Sequence, residues 1–429
     1  MGRGAAAGHR PRAPRPPRRR GAGGGVSARP DLGRQRPPGR RARVGGTAGA
    51  AATVTPPADP PLPPGDAPLV LSVFPSFAVG GAQVRFCALA NRYGPRWRHA
   101  IVALDGETGC AERLRPEVPF TLFPAPVPRG LDPLRAMLAA RQVIRRLRPA
   151  ALVTSNWGSI EWAMANLLPP RLRHLHTEDG FGPDEAAGQK PRRVLTRRLV
   201  LRGSEVALPS TVLLRAAREA WRLPEARLHH IPNGLDLARF RPDGPRADLA
   251  VPGEGPLIGT VAALRAEKNL ARLLRAAALL LDAGLAFRLV LIGDGPERAM
   301  LEGLADELGL ADRTLFAGHV PDPAAAYRAM DVFALSSDTE QMPFSVMEAM
   351  ASGVAVAATD VGDVGVMLPP EAAPHVAARD PAALAAGLRP LVEDAALRGR
   401  LGALNRAKAK RDYDQETMFR AYARLIDGD

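Results

Sequence analysis

A chain of 429 residues, 46% of them apolar, is long enough for two domains of ordinary size with substantial cores. Its formal charge of +14 would suggest a nucleic-acid partner, but 13 of the 58 basic and 3 of the 44 acidic residues fall in 1–66, leaving 45 against 41, a net +4, for everything beyond. Specific nucleic-acid binding by the folded part is therefore not expected, and two cysteines, Cys87 and Cys110, suggest no disulfide framework and fit the reducing cytosol.

Residues 1–66 are dense in Arg, Pro and Gly and nearly lack bulky apolar side chains, so they read as a disordered extension. They carry no continuous apolar core of a signal peptide, and no later stretch offers 18 uninterrupted apolar residues. Neither export nor a spanning helix is expected, which places the protein in the cytoplasm. From 67 to 242, short apolar runs at 69–74, 99–104, 120–123, 151–155, 174–177, 206–208 and 229–232 alternate with helical patterns, as in a doubly wound parallel α/β sheet. Gly80 and Gly81, between the first strand and first helix, allow either a tight turn or a close approach to a ligand phosphate. The glycine pattern is not G-x-G-x-x-G, so a nicotinamide fingerprint is absent. His174 and His176 share one face at a strand end, with Leu175 on the other. No third ligand cluster of suitable spacing follows them, so no metal site is expected.

In the second half, 251–410, a strand at 257–262 runs into a charged loop with Arg265, Glu267 and Lys268, then an amphipathic helix over 270–281. On that helix Leu270, Leu273, Leu274 and Ala277 face inward, with Arg272 and Arg275 expected to point away. A lysine at such a helix mouth complements a diphosphate. The strand 287–292 ends in Gly293-Asp294-Gly295-Pro296, where Gly295 permits close backbone approach and Pro296 starts a helix; a further strand, 314–318, leads into His319-Val320. Then come a buried strand at 331–335, a polar loop with Glu340, a helix opening at Pro343, Phe344 and Ser345, and a strand at 354–358. A helix N-terminus at the carboxyl edge of a sheet favours an anion. Glu340 and Glu348 suit hydroxyl groups, which carboxylates accept in pairs, as on sugars.

The stretch 336–362, with Glu340, Pro343, the run 348–353 and Thr359-Asp360-Val361-Gly362, resembles the E-x7-E signature of the family 4 retaining glycosyltransferases, which have the GT-B fold. The likeness extends over 68–425 and is strongest over 257–362. It implies two Rossmann-like domains facing across a cleft, 67–242 on the acceptor side and 251–410 binding the nucleotide sugar, with 411–429 as a helix crossing back to the first. The implied reaction moves a sugar from a UDP-, GDP- or ADP-sugar to a glycan, a lipid-linked sugar or a small molecule, with retention of configuration and no further cofactor. Cell-envelope polysaccharide synthesis is one setting for it. By the same resemblance Lys268 and Arg265 hold the diphosphate, Arg265 standing in for the family's Arg where this chain has Ala263. Glu340 would orient the donor sugar and Glu348 the ribose. Gly80 and Gly81 would face the diphosphate and acceptor, Gly295 and Val320 would belong to the donor-side loops, and Pro343, Phe344 and Ser345 to the phosphate-facing helix start. His176 would orient sugar or acceptor, with His174 as its partner. Two rival readings remain: a glycoside hydrolase using Glu340 and Glu348 as acid and nucleophile, and a non-enzymatic nucleic-acid binder resting on the basic tail.

Two first-half segments are strongly basic. Lys190, Arg192, Arg193, Arg197, Arg198 and Arg202 alternate with Val194, Leu195, Leu199, Val200 and Leu201, while Arg135, Arg141, Arg145, Arg146 and Arg148 decorate a helix starting near 131. Ordinary surface helices would turn the apolar residues inward and leave the arginines solvated. The other reading is contact with an anionic leaflet at the inner face of the membrane, with a glycolipid acceptor.

Overall fold

The apolar runs of the first half form one parallel sheet. The computed structural model describes residues 60–126, 132–181, 185 and 188–429. Its elements begin β1 (Leu69–Phe74), α1 (Gly81–Tyr93), β2 (Arg98–Ala103), β3 (Phe120–Phe123), α2 (Pro133–Leu147), β4 (Ala151–Ser155), α3 (Ile160–Ala165), β5 (Arg173–Thr177), α4 (Pro191–Val200), β6 (Glu205–Leu208), α5 (Thr211–Glu219) and β7 (Leu228–His230). The second half continues with β8 (Leu257–Val261), α6 (Leu270–Asp282), β9 (Arg288–Ile292), α7 (Arg298–Glu307), β10 (Thr314–Gly318), α8 (Ala324–Ala329), β11 (Val332–Leu335), α9 (Phe344–Ala351), β12 (Ala355–Thr359), α10 (Val364–Met367), β13 (Val376–Ala377), α11 (Pro381–Glu393), α12 (Ala395–Asp412) and α13 (Gln415–Asp427).

Strand order is β3-β2-β1-β4-β5-β6-β7 in the first sheet and β10-β9-β8-β11-β12-β13 in the second, so both are doubly wound. Val70 of β1 pairs with His99 on one side and Ala151 on the other, and β8 likewise lies between β9 and β11. The direction of strand addition reverses between β1 and β4 and between β8 and β11, and the crevice at such a reversal is where open parallel sheets take ligands.

The basic extension expected to be disordered lies outside the described residues apart from 60–66, and those are tied down. The Pro61 carbonyl accepts from Thr121 Oγ1 at 3.0 Å and that of Pro63 from Arg98 Nη1 at 3.1 Å. The extension therefore ends before Pro61 rather than at 66. At the other end of the chain, α13 packs Met418, Phe419, Tyr422 and Ile426 against Val70, Leu89, Val153 and Leu175. The two crossings between halves run side by side, with Leu235 N–H donating to the Tyr413 carbonyl at 2.8 Å and Gln415 N–H to the Leu235 carbonyl at 3.2 Å.

Several arginines depart from the expected helix patterns. Arg272, expected outside α6, is buried, and Arg141 of α2 is buried with its guanidinium donating to the Pro169 and Pro170 carbonyls. On α4 the pattern is inverted: Arg197 is wholly buried while Leu195 and Leu199 are 55% and 64% exposed. Buried carboxylates cause the inversion. Arg197 donates from Nε to Glu178 Oε2 at 3.0 Å and from Nη2 to Glu178 Oε1 at 3.2 Å, and Trp157, Phe181 and Trp221 enclose it with ring centroids at 5.0, 5.7 and 4.9 Å. Burial opposes ionisation of Glu178, but the His176 hydrogen bond and the Arg197 charge outweigh it and hold the carboxyl below its ordinary range.

Candidate functional site

The carboxyl ends of both sheets meet around a cavity of about 880 Å³. Pro75 follows β1 and Asn156 follows β4; Ala262 and Ala263 follow β8, and Leu335 ends β11. The cavity thus opens at the reversal points of both sheets at once, where neither sheet has a connecting helix to cover its edge.

On the second-half side, Lys268 Nζ donates to Glu340 Oε1 at 2.6 Å, and Ser337 Oγ donates to the same oxygen at 2.7 Å. Both loops carrying this pair are fastened to α6. Asn269, in a left-handed conformation at φ 42°, caps α6 through its side chain and donates from Nδ2 to Asp338 Oδ2 at 3.0 Å. Arg272 donates to the Ser336 carbonyl at 2.7 Å and to Asp338 Oδ1 at 2.6 Å, and Ser336 Oγ returns a bond to the Lys268 carbonyl at 3.0 Å. Arg272 is thus buried because it supports the Glu340 loop, a use that helical periodicity cannot reveal. Pro343, Phe344 and Ser345 line the cavity as the start of α9, whose N-cap has no side-chain partner, so the helix end presents its positive pole there.

On the first-half side, Asp179 lines the cavity in a fork from Arg85, with Nη1 to Oδ1 at 2.5 Å and Nη2 to Oδ2 at 3.0 Å. Arg85 also donates to Asn233 Oδ1 at 2.8 Å and lies 5.3 Å from the Tyr422 ring centroid. Burial works against its charge, but Asp179 outweighs burial and keeps the guanidinium above its ordinary value. Asn156, strained at φ 58°, accepts the Asp179 N–H at 2.7 Å. Trp157 and Arg193 complete this wall, Arg193 donating to Glu185 Oε2 at 2.8 Å.

The anticipated residues do not all assemble. Gly81, Lys268, Glu340, Pro343, Phe344 and Ser345 line the cavity. Glu348 does not: it faces a second chamber of about 370 Å³ that Phe344 also lines, and its carboxylate accepts from the Tyr327 hydroxyl at 2.7 Å. Burial raises the Glu348 carboxyl above its ordinary value despite that bond. Phe344 sits between the chambers, close enough to the first half that a Cβ on Gly81 would lie 3.1 Å from its ring. Glu340 and Glu348 consequently do not flank one space, and a hydrolase loses its acid–nucleophile pair. Arg265 is exposed and makes no side-chain hydrogen bond or ion pair among the described residues, while Ala263 occupies the cavity wall. Gly295 approaches backbone rather than ligand, since a Cβ there would stand 2.5 Å from the Leu264 carbonyl oxygen. Val320 packs against the second-half core, and Gly80 precedes α1 as its N-cap.

His176 requires the clearest correction. It is fully buried inside the sheet and does not reach the cavity. Its Nδ1 lies 2.8 Å from the Thr154 hydroxyl, which also contacts His174 Nε2 at 2.8 Å, and its Nε2 lies 3.3 Å from Glu178 Oε2. Burial and the neighbouring His176 push His174 down to about 3. The side chain that does reach the cavity from the end of β5 is Asp179. Its signal was its place after the strand, in the same polar run as the histidines. Among the described residues no group of three or more His, Cys, Asp or Glu could hold a metal ion.

Two family models match the chain, "Glycosyltransferase Family 4" over 79–239 and "Glycosyl transferases group 1" over 245–408. The chain is 32% identical over 202 residues to the putative glycosyltransferase EpsF of Bacillus subtilis, covering 44% of this chain and 50% of that one. It is 30% identical over 319 residues to a 2-deoxystreptamine N-acetyl-D-glucosaminyltransferase of Streptomyces fradiae, covering 66% and 76%. The chain spans about half or less of the length of the first curated relatives it matches, 28% to 56%. In three dimensions it superimposes on Anabaena HepE in complex with UDP-glucose with a TM-score of 0.68 at 18% identity, covering 84% of this chain and all of that one, which establishes the shared GT-B fold. With both halves matched in order and the relative from Streptomyces fradiae aligned across most of its length, the chain belongs to the group 1, family 4 glycosyltransferases.

Proposed function

We propose that the protein transfers a sugar from a nucleotide-sugar donor to a hydroxyl group of an acceptor. The observation that carries this reading is the Lys268–Glu340 pair beside the open N-terminus of α9, in a cavity at the reversal points of both sheets. A cation and a helix end together suit the diphosphate on which negative charge grows as the glycosidic bond breaks. Glu340, held on one oxygen by Lys268 and Ser337, keeps lone pairs for the hydroxyls of the donor sugar. Glu348, in the adjoining chamber, serves the ribose. The anomeric carbon leaves the phosphate oxygen and bonds the acceptor oxygen, whose proton passes to the departing phosphate, with the configuration retained. Arg265 lies outside the wall, so Lys268 and α9 carry the phosphate contact. Asp179, on the opposite wall, accepts from the acceptor. The donor and the two cysteines, both free, fit a cytoplasmic enzyme.

HepE binds UDP-glucose, so UDP-sugars are the first donors to test. Melting of the full chain is followed with UDP, GDP, ADP and their sugars. A ligand at about 100 times its dissociation constant adds about 2.7 kcal/mol to the folded state. A shift with one nucleotide identifies the base; no shift with any of them rejects the donor assignment.

A further inference from the structure

We propose that the outer helical face of the first half is a docking surface for an anionic lipid bilayer. In a right-handed parallel sheet α2, α3 and α4 connect strands added in one direction and so cover the same face, while α1 and α13 cover the other. Twelve large apolar side chains are exposed among the described residues, and six of them belong to this one face: Leu134 and Leu138 on α2, Leu167 and Leu168 just after α3, and Leu195 and Leu199 on α4. The six lie in three pairs, on or just after successive helices of one layer.

The inversion of α4 accounts for part of the concentration. Glu178 and Glu185 draw Arg197 and Arg193 inward, which turns the two leucines out. The same outer face carries the exposed arginines Arg135, Arg145, Arg148, Arg192, Arg198 and Arg202, none of them in an ion pair among the described residues. Between 133 and 148, and again between 188 and 202, the sequence has no Asp or Glu. A nucleic acid would use the arginines and leave the leucines wet, and an acidic protein surface would do the same. Leucines at i and i+4 interleaved with arginines match a headgroup layer, in which leucine enters the acyl boundary and arginine meets phosphate. The occupant is therefore a bilayer containing anionic lipid. Since α4 lines the cavity through Arg193 on its inner side, a bilayer on its outer side lies about one helix diameter, ~10 Å, from the cavity, within reach of a membrane-borne sugar acceptor.

The test is cosedimentation of the full chain with phosphatidylcholine vesicles containing phosphatidylglycerol or none, in low and high salt. The variants are Leu195→Ser/Leu199→Ser and Arg192→Gln/Arg198→Gln, with the α2 pair Leu134→Ser/Leu138→Ser as a second site should the α4 variants melt early. All keep residues 1–59, so any contribution from that basic segment is common to every sample. The expected result is binding to anionic vesicles that weakens with salt, and a loss of about tenfold or more in each double variant with unchanged melting. Equal partitioning of wild type and variants, indifference to lipid charge, or no vesicle binding at all overturns the proposal.

Discussion

Lys268 and Glu340 are one hydrogen-bonded unit, so removing either changes the other. At a Nζ to Oε1 distance of 2.6 Å, with the two side chains 26% and 11% exposed, the pair is partly screened by solvent and contributes on the order of 1 kcal/mol to folding. Lys268→Ala and Glu340→Gln should therefore fold normally, with melting lowered by only a few degrees. Catalysis is another matter, since each removes a positioned charge or acceptor and should cost about 10²–10³-fold in turnover, or ~2.7–4 kcal/mol. Were the two independent, the double variant would lose the product of the two factors. Because they touch, a coupling of ~1–3 kcal/mol is expected, so the double variant should fall short of that product by about 5- to 150-fold. Turnover is measured with the donor whose nucleotide raises the melting temperature, and calorimetry with the free nucleoside diphosphate separates binding from chemistry. Strict additivity would show that the two residues act separately on the substrate, and normal turnover in Lys268→Ala would refute the diphosphate assignment.

Acid should destabilise the protein through buried neutral imidazoles. His174 is held down to about 3 and His99, buried with no hydrogen-bond partner among the described residues, to about 4, so between these values and the ordinary 6.5 the unfolded chain binds protons that the folded chain refuses. Stability is present above pH 6.5 and is lost as pH falls, by about 2 kcal/mol per histidine between pH 6.5 and 5; urea midpoints at pH 7 and 5 should show a smaller drop in His174→Asn, and an equal drop contradicts the burial argument. Arg272→Met removes the bonds to Ser336 and Asp338 and should lower stability by about 1.5–3 kcal/mol while weakening nucleoside diphosphate binding through a loosened Glu340 loop, with unaltered binding counting against that support role. The Tyr422 hydroxyl is buried without a hydrogen-bond partner among the described residues, so Tyr422→Phe should keep or raise the melting temperature; a clear fall would reveal a partner.

The fold was legible because strands buried on both faces are apolar throughout, and the helices between them are long enough to punctuate the sequence. The Glu340 loop and the α9 start could be located because a strand, a loop and a helix follow at short range. Glu348 opens onto a different chamber from Glu340, which seven residues of separation could not reveal, because the Phe344 ring divides the space between two carboxylates close in sequence. The expectation for His176 had a similar origin. Alternation along β5 gives the face of a side chain but not whether Thr154 on the adjoining strand will bury it. The inward arginines were the least readable: periodicity assigns a charged residue to solvent, and only the three-dimensional meeting with Glu178 or with the Ser336 carbonyl reverses that assignment.

Because α13 supplies Met418, Phe419, Tyr422 and Ile426 to the apolar layer over β1, β4 and β5, the first sheet is completed by a segment made long after its own strands. At ~5–20 residues per second, a ribosome that has just released Val70 needs roughly 20–70 s more to produce its partner on α13. Throughout that interval one side of a nascent sheet shows Val70, Val153 and Leu175 to water, while the second half, which contains its own large core, is free to fold ahead of it. The half that is translated first is thus finished last, and a fragment ending at 242 would carry a permanently uncovered sheet. Such a fragment should precipitate or recruit chaperones, whereas the same sequence followed by its own α13 should not.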